Sequence, residues 1–315
     1  MMFVFNWGGY VGNLIVLGNI LPEFLVGLFG PHPLLQRRWL LVIAVVAFSP
    51  ISFYKGVSKL AWASAVAVWA LMFLCILVVF RFFIDHHHFA REPTEHAYTF
   101  VHSNVLPALG GISFLYTCQD MFFHVFHSLH HPTRKRVAVV AHSIMGGMFV
   151  IATVMGICGY LLFFESVSDN ILNDFGHDAA TQVARALLVM NIIVSVPYTN
   201  YIPRVAIMAV VQLYFPDLVV KRPGNKDKRD IFHACVTALL LGTGLLIAEN
   251  VTNLGLVFEL VGGFSAICIS LIIPALCHLK LEKEDSRAMR SWCYMLVVLG
   301  IVGMCGCVAN IIVNL

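Results

Sequence analysis

Long apolar stretches separated by short polar segments dominate the chain. Nine of them approach or exceed the roughly 20 mostly apolar residues that a helix needs to cross a bilayer. The stretches are long and lack a two-residue alternation, which favours helices over the strands of a barrel. The pattern therefore predicts an all-α membrane protein with nine transmembrane helices. Their approximate limits are 2–27, 39–54, 60–83, 104–125, 138–164, 183–213, 231–249, 253–278 and 292–314.

Composition supports the same conclusion. Of the 315 residues, 59% are apolar and 12% are charged, whereas a soluble globular chain carries roughly 25% charged residues. Too few polar side chains are present to cover a water-exposed surface, which excludes a soluble enzyme and a disordered protein. The net charge of +3 gives no indication of a nucleic-acid partner. The lipid bilayer is the partner that the composition requires, and the oligomeric state stays open.

The basic residues predict an orientation. With nine spans, 14 Lys and Arg fall on one side of the membrane and 5 on the other. Cytoplasmic loops are the ones enriched in Lys and Arg, so the C-terminus is expected on the non-cytoplasmic side. Arg204 lies within the sixth span and is expected to snorkel to the inner interface. Asn250 opens the sequon Asn-Val-Thr in a very short loop on the predicted outer side, which makes it a weak glycosylation candidate.

Residues that weaken a helix lie in the middle of the fourth stretch. Pro107 is followed by the pair Gly110 and Gly111, and all three weaken the helical hydrogen-bond ladder. Unwound backbone at membrane depth is tolerated only where it faces protein or a water-filled cavity, and transporters use such breaks to bind substrates. We therefore predict an interrupted helix beside a solute pocket, with close packing of small residues as the alternative. The candidate substrate-binding residues are Gly110, Gly111, Ser113, Tyr116 and Thr117.

The sixth stretch contains hydroxyl groups near the predicted middle of the membrane. Ser195 lies about 18 Å from the outer end at 1.5 Å per residue, and Thr199 follows one helical turn later. These hydroxyls, with backbone carbonyl groups near Pro197, are oxygen ligands suited to a small hard cation. Ser195 and Thr199 are therefore candidate cation-binding residues. The alternative is a hydroxyl that bonds back to its own helix.

Two carboxylates fall within predicted spans, where a charge costs on the order of 3 kcal/mol. Glu259 precedes the pair Gly262 and Gly263, and Asp120 lies in the inner third of the fourth stretch. Both are candidates for ion coupling or gating. A structural hydrogen bond is the alternative for Glu259. Pairing with the basic residues at 134–136 is the alternative for Asp120.

The histidines suggest a third possibility, a haem or metal enzyme, which the pattern disfavours. The chain has 14 histidines, most of them in loops or near the ends of the predicted helices. Residues 86–88 are consecutive and cannot all point to one site on a helix, while His124 and His127 share one face. Haem ligation in a membrane requires pairs of histidines buried on facing spans, and this distribution disfavours such pairs. No catalytic or metal site is predicted.

Several short motifs resemble those of a known family in their order and spacing. They resemble the amino acid/auxin permease family, in particular the sodium-coupled neutral amino acid transporters of solute carrier family 38 and their transporter 11 type. The similarity extends over about residues 5–310. The motifs are Gly110-Gly-Ile-Ser-Phe-Leu-Tyr-Thr-Cys-Gln119, His131-Pro-Thr-Arg134, Cys158-Gly-Tyr-Leu-Leu-Phe163, Ser195-Val-Pro197 with Pro203-Arg204, and Phe258-Glu-Leu-Val-Gly262 with Pro274-Ala-Leu276.

This resemblance implies a LeuT-like fold of eleven helices, in which five helices and an inverted copy of five are followed by one more. The nine predicted spans match helices three to eleven. Residues 1–315 are accordingly expected to form a single transmembrane amino acid transporter domain that lacks the family's first two helices, as if truncated. The resemblance places the substrate between broken first and sixth helices and a sodium ion between the first and eighth.

The function implied by the resemblance is secondary active transport of neutral L-amino acids by alternating access. Glutamine is a candidate substrate, and Na⁺ or H⁺ is the coupling ion, with no other cofactor. The plasma membrane and endolysosomal membranes are the expected locations. Two alternatives remain open: an amino-acid-binding membrane sensor that does not transport, and a truncated product without function.

Overall fold

The helices of the computed structural model follow the apolar stretches of the sequence closely. They are α1 Met2–Phe29, α2 Arg37–Ser52, α3 Ala61–Phe83, α4 Val105–Tyr116, α5 Arg134–Phe163, α6 Ala179–Tyr214, α7 Lys226–Asn250, α8 Leu254–Val261, α9 Ile273–Leu281 and α10 Arg287–Asn314. The structure describes residues 1–30, 32–53, 61–84, 91, 105–119, 126, 129, 133–215, 226–282 and 286–314.

Seven helical runs among the described residues are long and apolar enough to cross a membrane. The all-α membrane class predicted from the sequence is therefore confirmed. The helix α2 has 16 residues with Pro50 inside it, and the described part of α4 has 12. Both are shorter than the roughly 20 residues of a spanning helix, so the number of nine spans stays a prediction.

The helical run from residue 254 to 281 contains two π-helical turns that the sequence analysis did not anticipate. They are Gly262–Ala266 and Cys268–Ile272, and they lie between α8 and α9. A π turn bonds residues five apart instead of four and is frequent at functional sites. Here the first turn begins at the glycine pair that follows Glu259, so the backbone changes its geometry beside a predicted functional residue.

The chain forms two compact units. The first unit comprises Met1–Phe5, Tyr98–Thr153 and Gly255–Leu315, and in it α4 packs against the first π turn and α10. Its core contains Phe5, Val261, Ala266 and Ile269, with Phe114 and Val257 against them. The second unit comprises Asn6–Ala97 and Val154–Leu254. In it α6 packs against α2, α3 and α7.

Arginines in the second unit cap the ends of its helices. Arg204 is 2% exposed, and its guanidinium donates to the carbonyl oxygen of Ser52 at 2.7 Å and to the Thr237 hydroxyl at 3.3 Å. The expected snorkelling of Arg204 is therefore wrong. The last carbonyls of a helix lack helical donors and carry partial negative charge. A guanidinium inside an apolar bundle is best accommodated at such an end, here that of α2.

A partly exposed ion pair at the start of α6 should make stability depend on pH. Asp178 pairs with Arg81, and Thr181 donates to the Asp178 carboxylate at 2.7 Å. Burial raises the pKa of the Asp178 carboxyl, but the bond from Thr181 and the charge of Arg81 outweigh it, and the net pKa is lowered. The pKa of an aspartate in the unfolded chain is about 4. Above that pH the ionised Asp178 stabilises the fold, and this stabilisation is lost as the pH falls through the lower pKa that Asp178 has in the folded protein.

We expect Asp178→Asn to reduce the loss of stability between pH 6 and pH 3. The Asp178 side chain is 41% exposed, so the effect should be on the order of 0.5 to 1 kcal/mol, as for other exposed ion pairs. Melting temperatures of wild type and variant over this range provide the measurement. Parallel pH curves would contradict the assignment.

Candidate functional site

Glycine backbones meet directly where α4 crosses the first π turn. A Cβ atom added to Gly110 would lie 2.5 Å from the carbonyl oxygen of Glu259 and 3.0 Å from the backbone nitrogen of Gly263. A Cβ on Gly262 would strike the carbonyl of Gly110, and one on Gly263 would lie 2.7 Å from the Cβ of Cys307. We call Gly110, Gly262 and Gly263 the glycine seam. Only residues without a side chain allow this approach.

The interruption predicted at the glycine pair is wrong, because α4 is helical from Val105 to Tyr116. Gly110 is buried and serves helix packing, which was the alternative reading of the sequence. Gly111 behaves differently, since an added Cβ would meet nothing within 4 Å. Pro107 lies near the start of the described part of α4.

Helical geometry ends six residues later than predicted, after Tyr116. There the backbone N–H of Thr117 bonds to Phe114 in a tighter turn, at 3.4 Å, while the Thr117 hydroxyl donates to the carbonyl of Ser113 at 2.6 Å. Thr117 is buried, and Ser113 and Tyr116 are half-buried. Three predicted substrate residues therefore cluster at the end of α4, where the last turn leaves carbonyl groups without helical donors.

Aromatic rings hold the seam together on the same face of α4. The ring centroid of Phe114 lies 4.9 Å from that of Phe5 and 4.6 Å from that of Phe258. Aromatic contacts at these distances add about 0.5–1.5 kcal/mol each beyond burial. Phe114 also lies against Gly262. The close approach of the two backbones is thus supported by side chains on both sides.

The seam brings two predicted functional residues together. Glu259 is half-buried in the last turn before the π segment, and its carbonyl oxygen is the atom nearest to a Cβ added at Gly110. Gly110 and Glu259 are about 150 residues apart in the sequence, so the sequence alone did not predict this contact. The other predicted coupling residue, Asp120, lies outside the described residues.

The predicted cation ligands lie in the second unit and bond to their own helix. The Ser195 hydroxyl donates to the carbonyl of Asn191 at 2.8 Å, and the Thr199 hydroxyl donates to Val196 at 3.1 Å. Such back-bonding was the alternative reading of the sequence. In each of these bonds the hydroxyl group donates its proton and keeps lone pairs on its own oxygen. The two side chains therefore keep the capacity to bind a cation.

Two amides on this part of α6 were not among the predicted cation ligands. The side-chain oxygen of Asn191 lies 3.3 Å from the Ser195 hydroxyl. Asn200 is buried, and its Oδ1 has no hydrogen-bond partner. Pro197 and Pro203 cannot donate to the carbonyls of residues four positions earlier. Residues 191, 195 and 199 are spaced four apart, and this spacing alone predicts that they share one face of the helix.

The remaining predictions concern Asn250 and metals. Asn250 is exposed, and its Nδ2 donates to the carbonyl of Leu246 at 2.7 Å, so its glycosylation stays a prediction. Within the described ranges, no group of three or more His, Cys, Asp or Glu is placed to hold a metal ion. Residues 86–88, His124 and His127 lie outside those ranges.

Comparison with known proteins identifies relatives along nearly the whole chain. Residues 1–313 match the family described as "Transmembrane amino acid transporter protein". The "Vacuolar amino acid transporter 2" of Saccharomyces cerevisiae is 24% identical over 96% of this chain and 64% of its own length. The "Sodium-coupled neutral amino acid transporter 7" of Xenopus laevis is 25% identical, over 93% and 66%. The human "Putative sodium-coupled neutral amino acid transporter 11" is 26% identical, over 90% and 68%.

The chain thus spans about two thirds of the length of these relatives. The family and its named members are transporters and not enzymes. The resemblance inferred from the motifs is confirmed, as is the multi-pass membrane architecture. With the family match extending from residue 1 to residue 313, this chain belongs to the transmembrane amino acid transporter family.

Proposed function

We propose that this protein carries neutral L-amino acids across a membrane by alternating access, with glutamine as the first candidate substrate. The family match over residues 1–313 is the observation that supports this most strongly. The relatives named as sodium-coupled neutral amino acid transporters support the substrate class. The yeast vacuolar relative supports an endolysosomal membrane over the plasma membrane.

In this proposal the end of α4 binds the main-chain groups of the substrate. Each carbonyl oxygen of the last turn has two lone pairs, so it can accept a hydrogen bond from an ammonium group even where it already accepts one from Thr117. The Tyr116 and Thr117 side chains offer further polar contacts. Gly111 lets a solute approach the backbone, because among the described residues no atom lies within 4 Å of a Cβ added there. Gly110 contributes indirectly, since its backbone packs in the glycine seam.

The coupling ion in this proposal is Na⁺, bound by oxygen atoms of α6. Ser195 and Thr199 supply hydroxyl oxygens, and hard cations prefer such ligands. A proton on Glu259 is the competing proposal, because protonation removes the cost of a charge within a membrane span.

We expect Ser195→Ala to raise the Na⁺ concentration for half-maximal uptake by about tenfold, the loss of one ligand worth roughly 1.4 kcal/mol. Thr243→Ala is the matched control, since the Thr243 hydroxyl also bonds back to its own helix, at 2.7 Å. Initial uptake rates at a series of Na⁺ concentrations provide the measurement. An unchanged Na⁺ dependence in Ser195→Ala would favour coupling through Glu259.

Uptake by proteoliposomes tests the proposed function as a whole. The purified full chain is reconstituted, and entry of labelled L-glutamine is measured under an inward Na⁺ gradient, a pH gradient or neither. Saturable uptake that one of the gradients accelerates is the expected result. Saturable binding to the purified protein without any uptake would instead indicate an amino acid sensor.

A further inference from the structure

A polar cavity lies within the second unit, and the proposed function uses none of the residues that line it. Its volume is about 430 Å³, within the range of about 300–1,000 Å³ that is typical of small-molecule sites. One wall comes from α1, one from the start of α2 and one from α6 with the loop before it. The polar residues that line it are Asn19, Glu23, Arg37, Asn173, His177 and Arg185.

The guanidinium of Arg185 is buried at this cavity with its hydrogen bonds incomplete. Arg185 is 1% exposed. It donates to the carbonyls of Leu172 at 3.1 Å and Phe175 at 3.3 Å, and it faces Nδ1 of His177 at 3.0 Å. These acceptors are uncharged, and the Nε atom has no partner. A buried cation whose hydrogen-bond partners are all uncharged favours a nearby anion.

Arg37, at the start of α2, has a similar set of partners and also lines the cavity. It donates to the carbonyls of Ala248 at 2.7 Å, Glu249 at 3.3 Å and Val251 at 3.2 Å, and its Nε also lacks a partner. No carboxylate bonds directly to either guanidinium within the described part of the chain. The charge of Glu249 attracts Arg37 without a direct hydrogen bond, and the charges of Glu23 and Asp178 attract Arg185 in the same way.

The negative pole of the cavity is Glu23, the one carboxylate among its lining residues. Arginine is always a donor, so Nδ1 of His177 must accept from Arg185, which places the imidazole proton on Nε2. Nε2 lies 3.5 Å from the Glu23 carboxylate. Pro22 adds a second acceptor, because it cannot donate the helical hydrogen bond to the carbonyl of Gly18, and both residues line the cavity.

We propose that this cavity is a second binding site, which holds an amino acid zwitterion with its carboxylate toward Arg37 and Arg185 and its ammonium group toward Glu23. The two guanidiniums match a carboxylate in charge and in donor geometry. One carboxylate and the carbonyl of Gly18 match an ammonium group. The choice of an amino acid over another small carboxylate rests on the proposed transport function.

Protection of an introduced cysteine tests this site without relying on transport. Asn173→Cys places a thiol in an exposed turn that lines the cavity, and Val167→Cys places one at an exposed position of the same loop outside it. Maleimide labelling of the full chain is followed on each peptide by mass spectrometry. L-alanine is added at about 10 mM, roughly ten times a millimolar Kd. Propionate, which has only the carboxylate, and ethylamine, which has only the ammonium group, are tested in parallel.

L-alanine is expected to slow labelling at position 173 and not at 167, and ethylamine to have no effect. Glu23→Gln should raise the L-alanine concentration for half-protection about tenfold, as for the loss of one charged hydrogen bond, and leave protection by propionate unchanged. Equal protection by ethylamine, no protection by L-alanine, or indifference to Glu23→Gln would overturn the proposal.

Transport measured on the same variants separates the two proposals. Protection by L-alanine without uptake would contradict the proposed function and support the second site. Uptake without protection at position 173 would support the proposed function and contradict the second site.

Discussion

Replacing Gly110 with alanine should destabilise the protein and abolish transport. The added Cβ would lie 2.5 Å from the carbonyl oxygen of Glu259, and a backbone atom cannot move aside as a flexible side chain can. Separating α4 from the π turn would also disturb the stacking of Phe114 on Phe258. Overpacking of this kind costs about 1–3 kcal/mol, and more where the backbone is rigid. Gly110→Leu should be more severe, although the chain should still insert into the membrane.

Two glycines provide matched controls for this prediction. Gly111 is the next residue of the same helix, and Gly146 lies in α5; an added Cβ at either would meet nothing within 4 Å. Alanine at these positions should keep or slightly raise the melting temperature, because alanine favours a helix over glycine by up to about 1 kcal/mol. Melting temperature and uptake are measured for all three variants. Equal stability of Gly110→Ala and Gly111→Ala would contradict the glycine seam.

Arg204→Met should lower stability by about 3 kcal/mol, since it leaves the buried carbonyl of Ser52 without its donor. Methionine keeps an unbranched side chain of similar length, so the loss reports mainly on hydrogen bonds and charge. The C-terminal end of α2 and the contact with Thr237 should loosen together. Denaturation of the protein in detergent, followed by circular dichroism, provides the measurement.

Arg38→Met is the control for Arg204→Met, because Arg38 is exposed in the first turn of α2. Surface substitutions away from buried contacts usually change stability by less than about 0.5 kcal/mol. Thr237→Val should fall between the two, because it removes only the longer of the two hydrogen bonds. A loss in Arg204→Met no larger than that in Arg38→Met would show that the buried guanidinium does not stabilise α2.

The helices could be predicted well because lipid imposes a simple rule on the sequence. Each spanning segment must satisfy its backbone internally and present apolar side chains, so α3 and α10 stand out from composition alone. The two π turns could not be predicted in this way. They depend on one extra residue per turn, and the glycine pair at 262 and 263 is compatible with either geometry.

The functional residues were less accessible to sequence reasoning, because their roles depend on contacts between distant segments. Gly110 and Gly111 look equivalent in the sequence, yet one packs against Glu259 and the other is open. Arg37 and Arg185 counted only as charges in the orientation argument, whereas in the structure they line a cavity with Glu23. Ser195 lies within α6, and its role as a cation ligand is still a proposal.

Counterflow in proteoliposomes tests most directly whether this chain is a carrier. Vesicles containing the purified full chain are loaded with unlabelled L-glutamine and diluted into a trace of labelled L-glutamine without any ion gradient. A carrier exchanges the two pools, so the label should accumulate transiently inside, and Gly110→Ala should abolish this while Gly146→Ala keeps it. Saturable binding of L-glutamine with no transient accumulation in the wild type would contradict transport by alternating access.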